Sequence, residues 1–340
     1  MIVILTGAKK NVGDYLIGSR ARKLLREFVD DDIVELDRFS PLDTHIPTIN
    51  KSRAVILCGG PAYTKNIFPK VYPLTDYIEQ IKVPIIPFGL GWSGKPFGSP
   101  DDFRFDDISK RIIDDIHKKA DFTSCRDIIT ENILQSHGHD NILMTGCPVW
   151  YDLDSIGKEL DTSLDYKRIV FTTPASRKLV KQNKKLMKVL RNTFPSAEII
   201  CSFHRGILPD KHTGIKRSIA YMRMTLDAKK LGFKVVDTSF DLQKIGFYKD
   251  LDLHVGYRVH AHLDFISRRK PSILINEDGR GQGMVESMNL PVLNFDDQNL
   301  IESYESLLTN YKVGNFSELL EVPAFIDKQL ITMKKFLASI

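Results

Sequence analysis

Long apolar runs, repeats and low-complexity tracts are all missing from this 340-residue sequence. No uninterrupted apolar run approaches the roughly 20 residues that a membrane-spanning helix needs. The opening stretch, MIVILTGAKK, is too short in apolar residues for a secretory signal and has no preceding basic residue, so we interpret it as a first strand. With 42% hydrophobic and 27% charged residues, the composition excludes long disorder, fibrous repeats and coiled-coil rods.

Cysteine is scarce, and its spacing excludes two classes of small domain. The sequence has four cysteines, far apart and each beside apolar or glycine neighbours: Cys58, Cys125, Cys147 and Cys201. No Cys-x-x-Cys pair occurs, which argues against a disulfide framework and against a zinc ribbon. We therefore expect buried thiols in a reducing cytoplasm.

Acidic residues are nearly missing from the middle of the chain. Residues 167–234 hold 17 Lys or Arg against three Asp or Glu, a balance of +14, whereas the rest of the chain sums to −9. This split indicates an anionic partner, which could be a phosphorylated substrate, an anionic lipid surface or nucleic acid. We expect no nucleic acid, because no reader motif or aromatic stacking pattern accompanies the cations. For the segment 178–193, a solvated helix face with a buried apolar stripe explains the cations equally well.

Short runs rich in Val and Ile alternate with amphipathic segments along the whole chain. They predict strands at 2–6, 32–36, 54–58, 83–89, 122–125, 142–144, 168–173, 197–203, 233–237, 251–256, 271–276 and 291–294. The segments between them predict helices at 14–29, 107–119, 127–136, 178–193, 215–231, 258–269 and 300–310. Apolar strands that alternate with helices are typical of parallel sheets covered on both faces. The two series of about six strands predict an α/β fold with two Rossmann-like domains facing a cleft.

The polar stretch 152–167 has no strong periodicity and is the expected domain boundary. We predict an N-terminal domain over 1–160 and a C-terminal domain over 161–340, with a last helix near 323–338 that could pack on either. In facing domains of this kind, ligands bind outside the carboxyl ends of the strands. The residues that follow each strand are therefore the candidates for function.

Glycines follow three strands of the N-terminal half. Gly7 and Gly13 bracket a predicted turn, and Asp14 is a candidate cap for the helix behind it. The first N–H groups of that helix suit an anion or a sugar hydroxyl. The motif is neither a Walker A loop nor a dinucleotide fingerprint, and a plain tight turn explains it as well.

Two further glycine runs predict turns. These are CGGPAY at 58–63, where Gly59 and Gly60 allow close backbone approach, and FGLGWSG at 88–94.

Arg258 and His260 begin the helix that follows the strand at 251–256. The helix dipole disfavours the cationic imidazole there, and a bound dianion would restore it, which is the profile of a substrate-assisted general acid. A helix-capping or supporting histidine is the alternative. His262 diverges from His260 on a helix, and no third ligand is evident, so we expect no metal site.

Further cations follow other strands. Arg280 lies in NEDGRGQG, which we expect to be a flexible loop whose guanidinium grips phosphate or carboxylate; a mobile surface loop is the alternative. His204 and Arg205 follow the strand at 197–203 and should reach the same rim. Arg126 begins a helix of the first half, where it either contacts ligand or holds the domains together.

Together these segments resemble the polysaccharide pyruvyl transferase family. The resemblance rests on five pieces in the same order, spread over nearly the whole chain: NVGD at 11–14, CGGP at 58–61, SCRDIITENIL at 124–134, TGCPVWYDL at 145–153 and GYRVHAHLDFISRRKPSILI at 256–275. Members of this family resemble inverting glycosyltransferases with two Rossmann domains, the GT-B arrangement. They move the enolpyruvyl unit of phosphoenolpyruvate onto two hydroxyls of a sugar, which gives a pyruvate ketal and phosphate.

The resemblance gives His260 the central catalytic role, because it matches the histidine of the family's Arg-Leu-His motif. Arg258 matches the arginine, and Val259 replaces the leucine. The loop after the next strand often carries a lysine in the family, where this chain has Arg280.

The expected donor is phosphoenolpyruvate, with no cofactor and no metal. Its phosphate and carboxylate call for cations that do not titrate, which favours arginine. The candidates for donor binding are Arg258, Arg205, His204 and Arg280. Asp14 is the candidate base for the acceptor hydroxyl. The candidates for acceptor binding are Asn11, Gly13, Gly59, Gly60 and Arg126.

Two other functions stay open at this stage. One is a GT-B glycosyltransferase that uses a nucleotide-sugar donor, and the other is a non-catalytic carbohydrate-binding relative. The expected acceptor is a sugar or a lipid-linked oligosaccharide of a surface polysaccharide. The basic middle region would then lie against an anionic leaflet, which places the protein in the cytoplasm, at the inner face of the membrane.

Overall fold

Two parallel six-stranded sheets organise the described part of the chain, which is residues 1–94, 100–163, 165–291 and 293–340 of a computed structural model. The first sheet has the order β2-β1-β3-β4-β5-β6 and consists of β1 (Ile2–Thr6), β2 (Ile33–Asp37), β3 (Val55–Tyr63), β4 (Ile85–Trp92), β5 (Thr123–Cys125) and β6 (Ile142–Met144). The second has the order β12-β11-β10-β7-β8-β9 and consists of β7 (Arg168–Thr172), β8 (Glu198–Phe203), β9 (Lys234–Asp237), β10 (Leu253–Gly256), β11 (Ser272–Asn276) and β12 (Leu293–Asn294). The predicted α/β fold with two Rossmann-like sheets is confirmed.

Helices connect the strands and cover the sheets. They are α1 (Val12–Phe28), α2 (Ile46–Ile49), α3 (Ile67–Lys70), α4 (Asp107–Lys119), α5 (Ile128–Ser136), α6 (Val180–Thr193), α7 (Ile215–Lys230), α8 (Val259–Ser267), α9 (Gly279–Ser287), α10 (Leu300–Lys312) and α11 (Val322–Leu337). A 3₁₀ segment, Leu242–Asp250, joins β9 to β10. Within the described residues, none of the helices combines the length and the apolar character needed to cross a bilayer.

The strands and long helices lie close to where the apolar periodicity predicts them. Of the strand predicted at 291–294, residue 292 lies outside the described residues, as does residue 164 of the predicted boundary stretch. The four cysteines are buried and free, as expected.

The glycine turns predicted at 58–63 and 88–94 are wrong for most of their residues, because β3 runs through Gly59 and Gly60 and β4 runs through Gly89 and Gly91. Gly59 and Gly60 have φ values of +60° and +90°, which let the strand bend while Gly60 still pairs with Leu90. A Cβ on Gly59 would lie 2.1 Å from the Cγ2 methyl of Ile17 on α1. Glycine is therefore needed here for close helix–strand packing rather than for a turn.

Contacts between the two sheet units fix the space between them. The N–H of Val12 donates to the carbonyl of His204 (3.2 Å), and the N–H of Ile128 donates to the hydroxyl of Ser287 (3.0 Å). The buried Nζ of Lys10 donates to Thr213 Oγ1 (2.6 Å) and also pairs with a carboxylate of the second unit.

The guanidinium of Arg20 on α1 adds a buried link. It binds Asp152 and the Oδ1 of Asp264 on α8, the latter at 3.0 Å. A charge held by two carboxylates in this way joins α1, α8 and the segment that follows the first sheet.

The last helix, α11, packs on both units. Its Phe336 ring lies 5.5 Å from that of Phe88 in β4, while α11 also contacts α8. The first sheet uses residues up to Met144 and the second begins at Arg168. The domain boundary at residue 160 stays a prediction.

Candidate functional site

The strand orders place the two predicted site regions at corresponding points. In the first sheet β1 lies between β2 and β3, so the chain leaves β1 and β3 in opposite directions across the sheet. In the second sheet the same reversal lies between β7 and β10, and Arg258 with His260 follow β10. Crevices at such reversal points are where doubly wound sheets bind ligands.

A cavity of about 140 Å³ opens between these regions. Its lining includes six of the residues predicted for the site: Asn11, Asp14, Gly59, Gly60, Arg205 and Arg280. The residues predicted for acceptor and for donor thus line one common cavity. Arg38, Thr6, Gly7, Ile17, Gly18, Cys58 and Pro61 complete the lining.

Among the described residues that line this cavity, Asp14 carries the carboxylate. Burial raises the pKa of Asp14, and it does so against the opposing influence of Asn11 and of the guanidiniums of Arg280, Arg205 and Arg38. The Nδ2 of Asn11 donates to Asp14 Oδ1 at 3.0 Å. The capping role predicted for Asp14 is wrong, because α1 begins two residues earlier and Asp14 lies within its first turn. Its carboxylate faces the cavity and accepts the Asn11 hydrogen bond instead of capping α1.

Arg280 reaches the cavity from the first turn of α9. The flexible loop predicted here is wrong: the segment is the helix α9, capped by Asp278, whose carboxylate accepts from the N–H of Arg280 at 3.0 Å. The Nε of Arg280 donates to both carboxylate oxygens of Asp278 at 2.9 Å. Burial lowers the pKa of Arg280, but the pairing with Asp278 outweighs burial and raises it, so this guanidinium is a fixed cation.

Arg205 lines the same cavity as Arg280, whereas Arg258 is not among the described residues of its lining. Burial, together with the nearby charges of Arg258 and Arg280, lowers the pKa of Arg205. Arg258 is buried at the N-cap of α8, and its Nε has no hydrogen-bond partner. The carboxylate of Glu277 lies close enough to feel the Arg258 charge, and it accepts the N–H of Ala175 at 2.9 Å. The site therefore concentrates several guanidiniums, of which Arg280 is paired with Asp278.

His260 lies at the start of α8 against the first helix. A Cβ added to Gly13 would stand 2.9 Å from the imidazole Nδ1, so the absence of a side chain at Gly13 makes room for the ring. His260 is 6% exposed, and its buried Nε2 has no hydrogen-bond partner. Burial, followed by the charges of Arg126 and Arg280, lowers the pKa of His260 to about 3.

The imidazole lies behind the cavity rather than in its wall, since His260 is not among the described residues that line it. It borders the cavity through Gly13, whose neighbours Asn11 and Asp14 do line it. Arg280 links His260 to the cavity, because its side chain lines the cavity and its charge also lowers the pKa of His260.

Two other predicted residues have hydrogen-bond partners within the protein. His204 is buried, with its Nε2 hydrogen-bonded to the hydroxyl of Tyr248 at 2.8 Å. Arg126 is buried, and it donates from Nε to Asp127 (3.0 Å) and from Nη2 to the carbonyl of Trp92 (2.9 Å). Neither is in the described lining of the cavity. Gly13 acts through the space that it leaves for His260.

His262 points to the core instead of toward His260. Its Nδ1 lies 2.7 Å from the hydroxyl of Ser272, which also contacts His254 Nδ1 at 2.8 Å. Within the described ranges, no three His, Cys, Asp or Glu side chains are grouped to hold a metal ion.

A second cavity of about 330 Å³ adjoins the first and shares Thr6, Gly7, Asp14 and Gly18 with it. Its other lining residues are Ala8, Tyr15, Arg22, Glu35 and Asp37. Asp14 thus stands between a cavity rich in arginine and one rich in carboxylates and hydroxyls.

Arg38 is a cation of the first cavity that the sequence analysis missed. It follows β2 directly, so the rule that singled out the other cations also applies to it. Its side chain packs over Gly7, where a Cβ would lie 2.3 Å from the Arg38 Nε, and its guanidinium lies 4.9 Å from the centre of the Tyr72 ring.

Solved structures with a similar two-domain, GT-B-like fold include proteins in complex with UDP or UDP-GlcNAc. The Staphylococcus aureus MnaA–UDP structure superposes with a TM-score of 0.58 at 13% identity, covering 100% of this chain and 97% of that one. UDP-GlcNAc 2-epimerase from Neisseria meningitidis, bound to UDP-GlcNAc, gives 0.58 at 11% identity, covering 98% and 100%. Anabaena Alr3699/HepE with UDP and glucose gives 0.50 at 11% identity, covering 98% of each chain. At these identities the likeness shows the fold alone.

Comparison by sequence is more specific. No curated protein matches the chain significantly. The family model for polysaccharide pyruvyl transferase matches residues 11–279. This range begins at the NVGD segment of α1 and ends at the start of α9, and it therefore includes β10 with Arg258 and His260.

Proposed function

The chain belongs to the polysaccharide pyruvyl transferase family, and from that premise we propose that it transfers pyruvate from phosphoenolpyruvate to two hydroxyls of a sugar as a ketal. The observation that carries this proposal is the arginine-lined cavity between the two sheets. Phosphoenolpyruvate bears a phosphate and a carboxylate, and Arg38, Arg205 and Arg280 offer cations for both. The small size of the cavity favours this small donor, since drug-sized ligands occupy roughly 300–1,000 Å³.

His260 is the proposed proton donor to the methylene carbon of the enol. With a pKa of about 3 it is neutral at pH 7 in the free protein. Burial is the largest cause of this low pKa, and the charges of Arg126 and Arg280 add to it. A bound dianion beside Arg280 would offset those charges and so favour the imidazolium. The bound substrate would thereby favour protonation of the imidazole that serves as its acid. When the site is empty, the imidazole would stay neutral.

Asp14 is the proposed base for the acceptor hydroxyl. Protonation of the methylene carbon makes the neighbouring carbon electrophilic, one sugar hydroxyl attacks it, phosphate leaves and the second hydroxyl closes the ring. The two acceptor hydroxyls release two protons. One returns to the group that protonated the methylene carbon, and the other leaves with phosphate. Asp14 stands between the two cavities, which is where an acceptor hydroxyl would meet the donor.

We place the acceptor sugar in the adjoining cavity, where Glu35, Asp37 and Tyr15 offer hydrogen bonds to hydroxyls. No cofactor enters this scheme, because the guanidiniums supply the charge that holds the donor. The acceptor class is a lipid-linked repeat unit of a surface polysaccharide, and the site of action is the inner face of the cytoplasmic membrane. The basic middle of the chain supports that location.

A nucleotide-sugar transferase is the second candidate, favoured by the neighbours whose structures contain UDP. Binding separates the two candidates. Phosphoenolpyruvate should raise the melting temperature in scanning fluorimetry, and UDP should not, because a ligand that binds the folded state stabilises it. Stabilisation by UDP and not by phosphoenolpyruvate would overturn the proposed donor.

Variants of the arginines test the site itself. Arg205→Gln and Arg280→Gln should each lower the phosphoenolpyruvate-induced melting shift, since each removes a cation from the cavity. Arg26→Gln is the matched control, because Arg26 is an exposed arginine on α1. Released phosphate, followed with phosphoenolpyruvate and a panel of sugars and lipid-linked sugars, then tests transfer. Donor binding without phosphate release on any acceptor would favour a non-catalytic relative.

A further inference from the structure

Helix α7 carries large apolar side chains on its solvent face. Ile215, Ile219, Met222 and Leu226 are 70%, 42%, 40% and 59% exposed. Their spacing of i, i+4, i+7 and i+11 puts all four on one narrow stripe of a helix with 3.6 residues per turn. The solvent face of a helix in a globular protein is normally polar, so this stripe needs an explanation.

The opposite face of α7 already packs against the second sheet unit. Ser218, Tyr221, Met224 and Ala228 form that buried stripe. The helix is therefore apolar on two sides, and the protein covers only one of them. The stripe is a separate feature from the core.

Cations flank the apolar stripe along its length. Lys216, Arg223, Lys229 and Lys230 are exposed on either side of it. Asp227 is the single acidic residue of α7, and its carboxylate is paired with Lys184 of α6 at 2.9 Å. The stripe is thus bordered by uncompensated positive charge.

An open groove of about 750 Å³ at the N-terminal end of α7 extends this basic surface. Among the described residues that line it, four are cationic and none is acidic: Arg177, Lys178, Lys216 and Arg217. Ile215, the first residue of the stripe, lines the same groove. Apolar and cationic groups therefore meet in one continuous surface.

We propose that α7 docks the protein onto an anionic lipid bilayer, with Ile215, Ile219, Met222 and Leu226 entering the headgroup–acyl boundary and the flanking cations contacting lipid phosphates. An apolar face bordered by Lys and Arg is the pattern by which interfacial helices bind anionic membranes. Charge complementarity selects this occupant over a second copy of the chain, because two such strips brought together would oppose positive charges.

The docking surface has a direct relation to the candidate site. Tyr221, on the buried side of α7, lies close enough to Arg205 to influence its pKa. Helix α7 therefore lies on the same side of the second unit as Arg205, which lines the cavity. A lipid-linked acceptor could then reach the cavity while its lipid stays in the bilayer. The docking itself does not depend on the proposed reaction.

Sedimentation with vesicles tests the proposal in the absence of any substrate, so its outcome is independent of pyruvyl transfer. The full chain should bind phosphatidylglycerol vesicles, bind phosphatidylcholine vesicles much less, and lose binding as salt is raised. The double variant Ile215→Gln/Leu226→Gln should bind phosphatidylglycerol vesicles at least about tenfold more weakly, because it removes two apolar anchors. Lys216→Gln/Arg217→Gln should weaken binding by up to roughly thirtyfold at low salt, because two cations are removed.

Ile331→Gln is the matched control, because Ile331 is also 70% exposed but lies on α11. It should bind as the unmodified protein does, and melting curves should show every variant to be folded. Equal binding by the apolar double variant, or no binding to phosphatidylglycerol, would overturn the proposal. So would a dimer in light scattering that Ile215→Gln/Leu226→Gln dissociates while vesicles are not bound, since the stripe would then be a self-association surface.

Discussion

His260 shows how strongly a side chain's environment can limit what it does. The ring is buried against Gly13, near two guanidiniums, and its pKa of about 3 keeps it neutral. In the proposed mechanism it acts as an acid once an anion has entered the neighbouring cavity. The role of His260 as proton donor stays a prediction that substitution can test.

We expect His260→Ala to abolish measurable pyruvyl transfer, with a loss of about 10²–10⁴ in rate, because the methylene carbon loses its proton donor. Phosphate release from phosphoenolpyruvate with an accepted sugar is the measurement. His260→Asn fills more of the buried space and guards against a folding defect. His45→Ala, at a partly exposed histidine, should react normally. Near-normal turnover by both His260 variants would refute the role.

At the scale of single residues, the sequence identified six of the thirteen described residues that line the cavity. Asn11, Asp14, Arg205 and Arg280 were each singled out because they follow a strand, and they do line one cavity. Arg38 was missed although it obeys the same rule. The burial of His204 against Tyr248 could not be predicted, because that partner comes from a distant 3₁₀ segment.

At the scale of elements, α1 ties the site to the fold. Two of its glycines differ in surroundings: a Cβ on Gly13 would lie 2.9 Å from His260 Nδ1, whereas one on Gly18 would lie 3.5 Å from its nearest neighbour, an Arg22 guanidinium atom. The space beside Gly13 is therefore occupied by a side chain of another helix, whereas a methyl group at Gly18 would make only ordinary van der Waals contact. The two positions form an internal comparison.

We expect Gly18→Ala to raise the free energy of unfolding by about 0.5–1 kcal/mol, because alanine is the better helix residue. Gly13→Ala should lack this gain or destabilise, because its methyl group forces the imidazole to move. Urea denaturation of the two variants is the measurement. An equal gain at both positions would show that His260 is not held against Gly13.

Element prediction succeeded where periodicity is strong and failed at glycines. The apolar patterns located the strands and the long helices. The runs at 58–63, 88–94 and 276–283 were interpreted as turns or loops, yet the first two lie largely in strands and the third opens α9. Glycine there serves close packing, as with Ile17 over Gly59, and local sequence does not distinguish that from a turn.

At the scale of the whole molecule, buried histidines link stability to pH. Burial lowers the pKa of His117 to about 4 and of His262 and His260 to about 3, against an ordinary value near 6.5. As pH falls below 6.5, the unfolded chain takes up protons that the folded chain does not. Stability is therefore full above about pH 6.5 and is lost as pH falls.

We expect the free energy of unfolding to fall between pH 6.5 and pH 5 by about 1 kcal/mol per pH unit for each such histidine. Urea denaturation across this range measures the slope. Asp14, whose pKa burial raises, acts in the opposite sense, so single variants are needed to isolate the imidazoles. His262→Asn should reduce the slope and His45→Ala should not. A flat profile for the unmodified protein would contradict the expectation.

The sequence by itself determined the class of fold and most of the chemistry available to the site, because apolar periodicity and the residues after each strand are local properties. The order of the strands, the packing of α11 on both units and the meeting of Asp14 with arginines from three strand ends were decided by tertiary structure. The same holds for His260, whose place behind the cavity depends on Gly13 of another helix. Such contacts join residues that are far apart in the chain, and a local sequence pattern does not predict which of these residues come into contact.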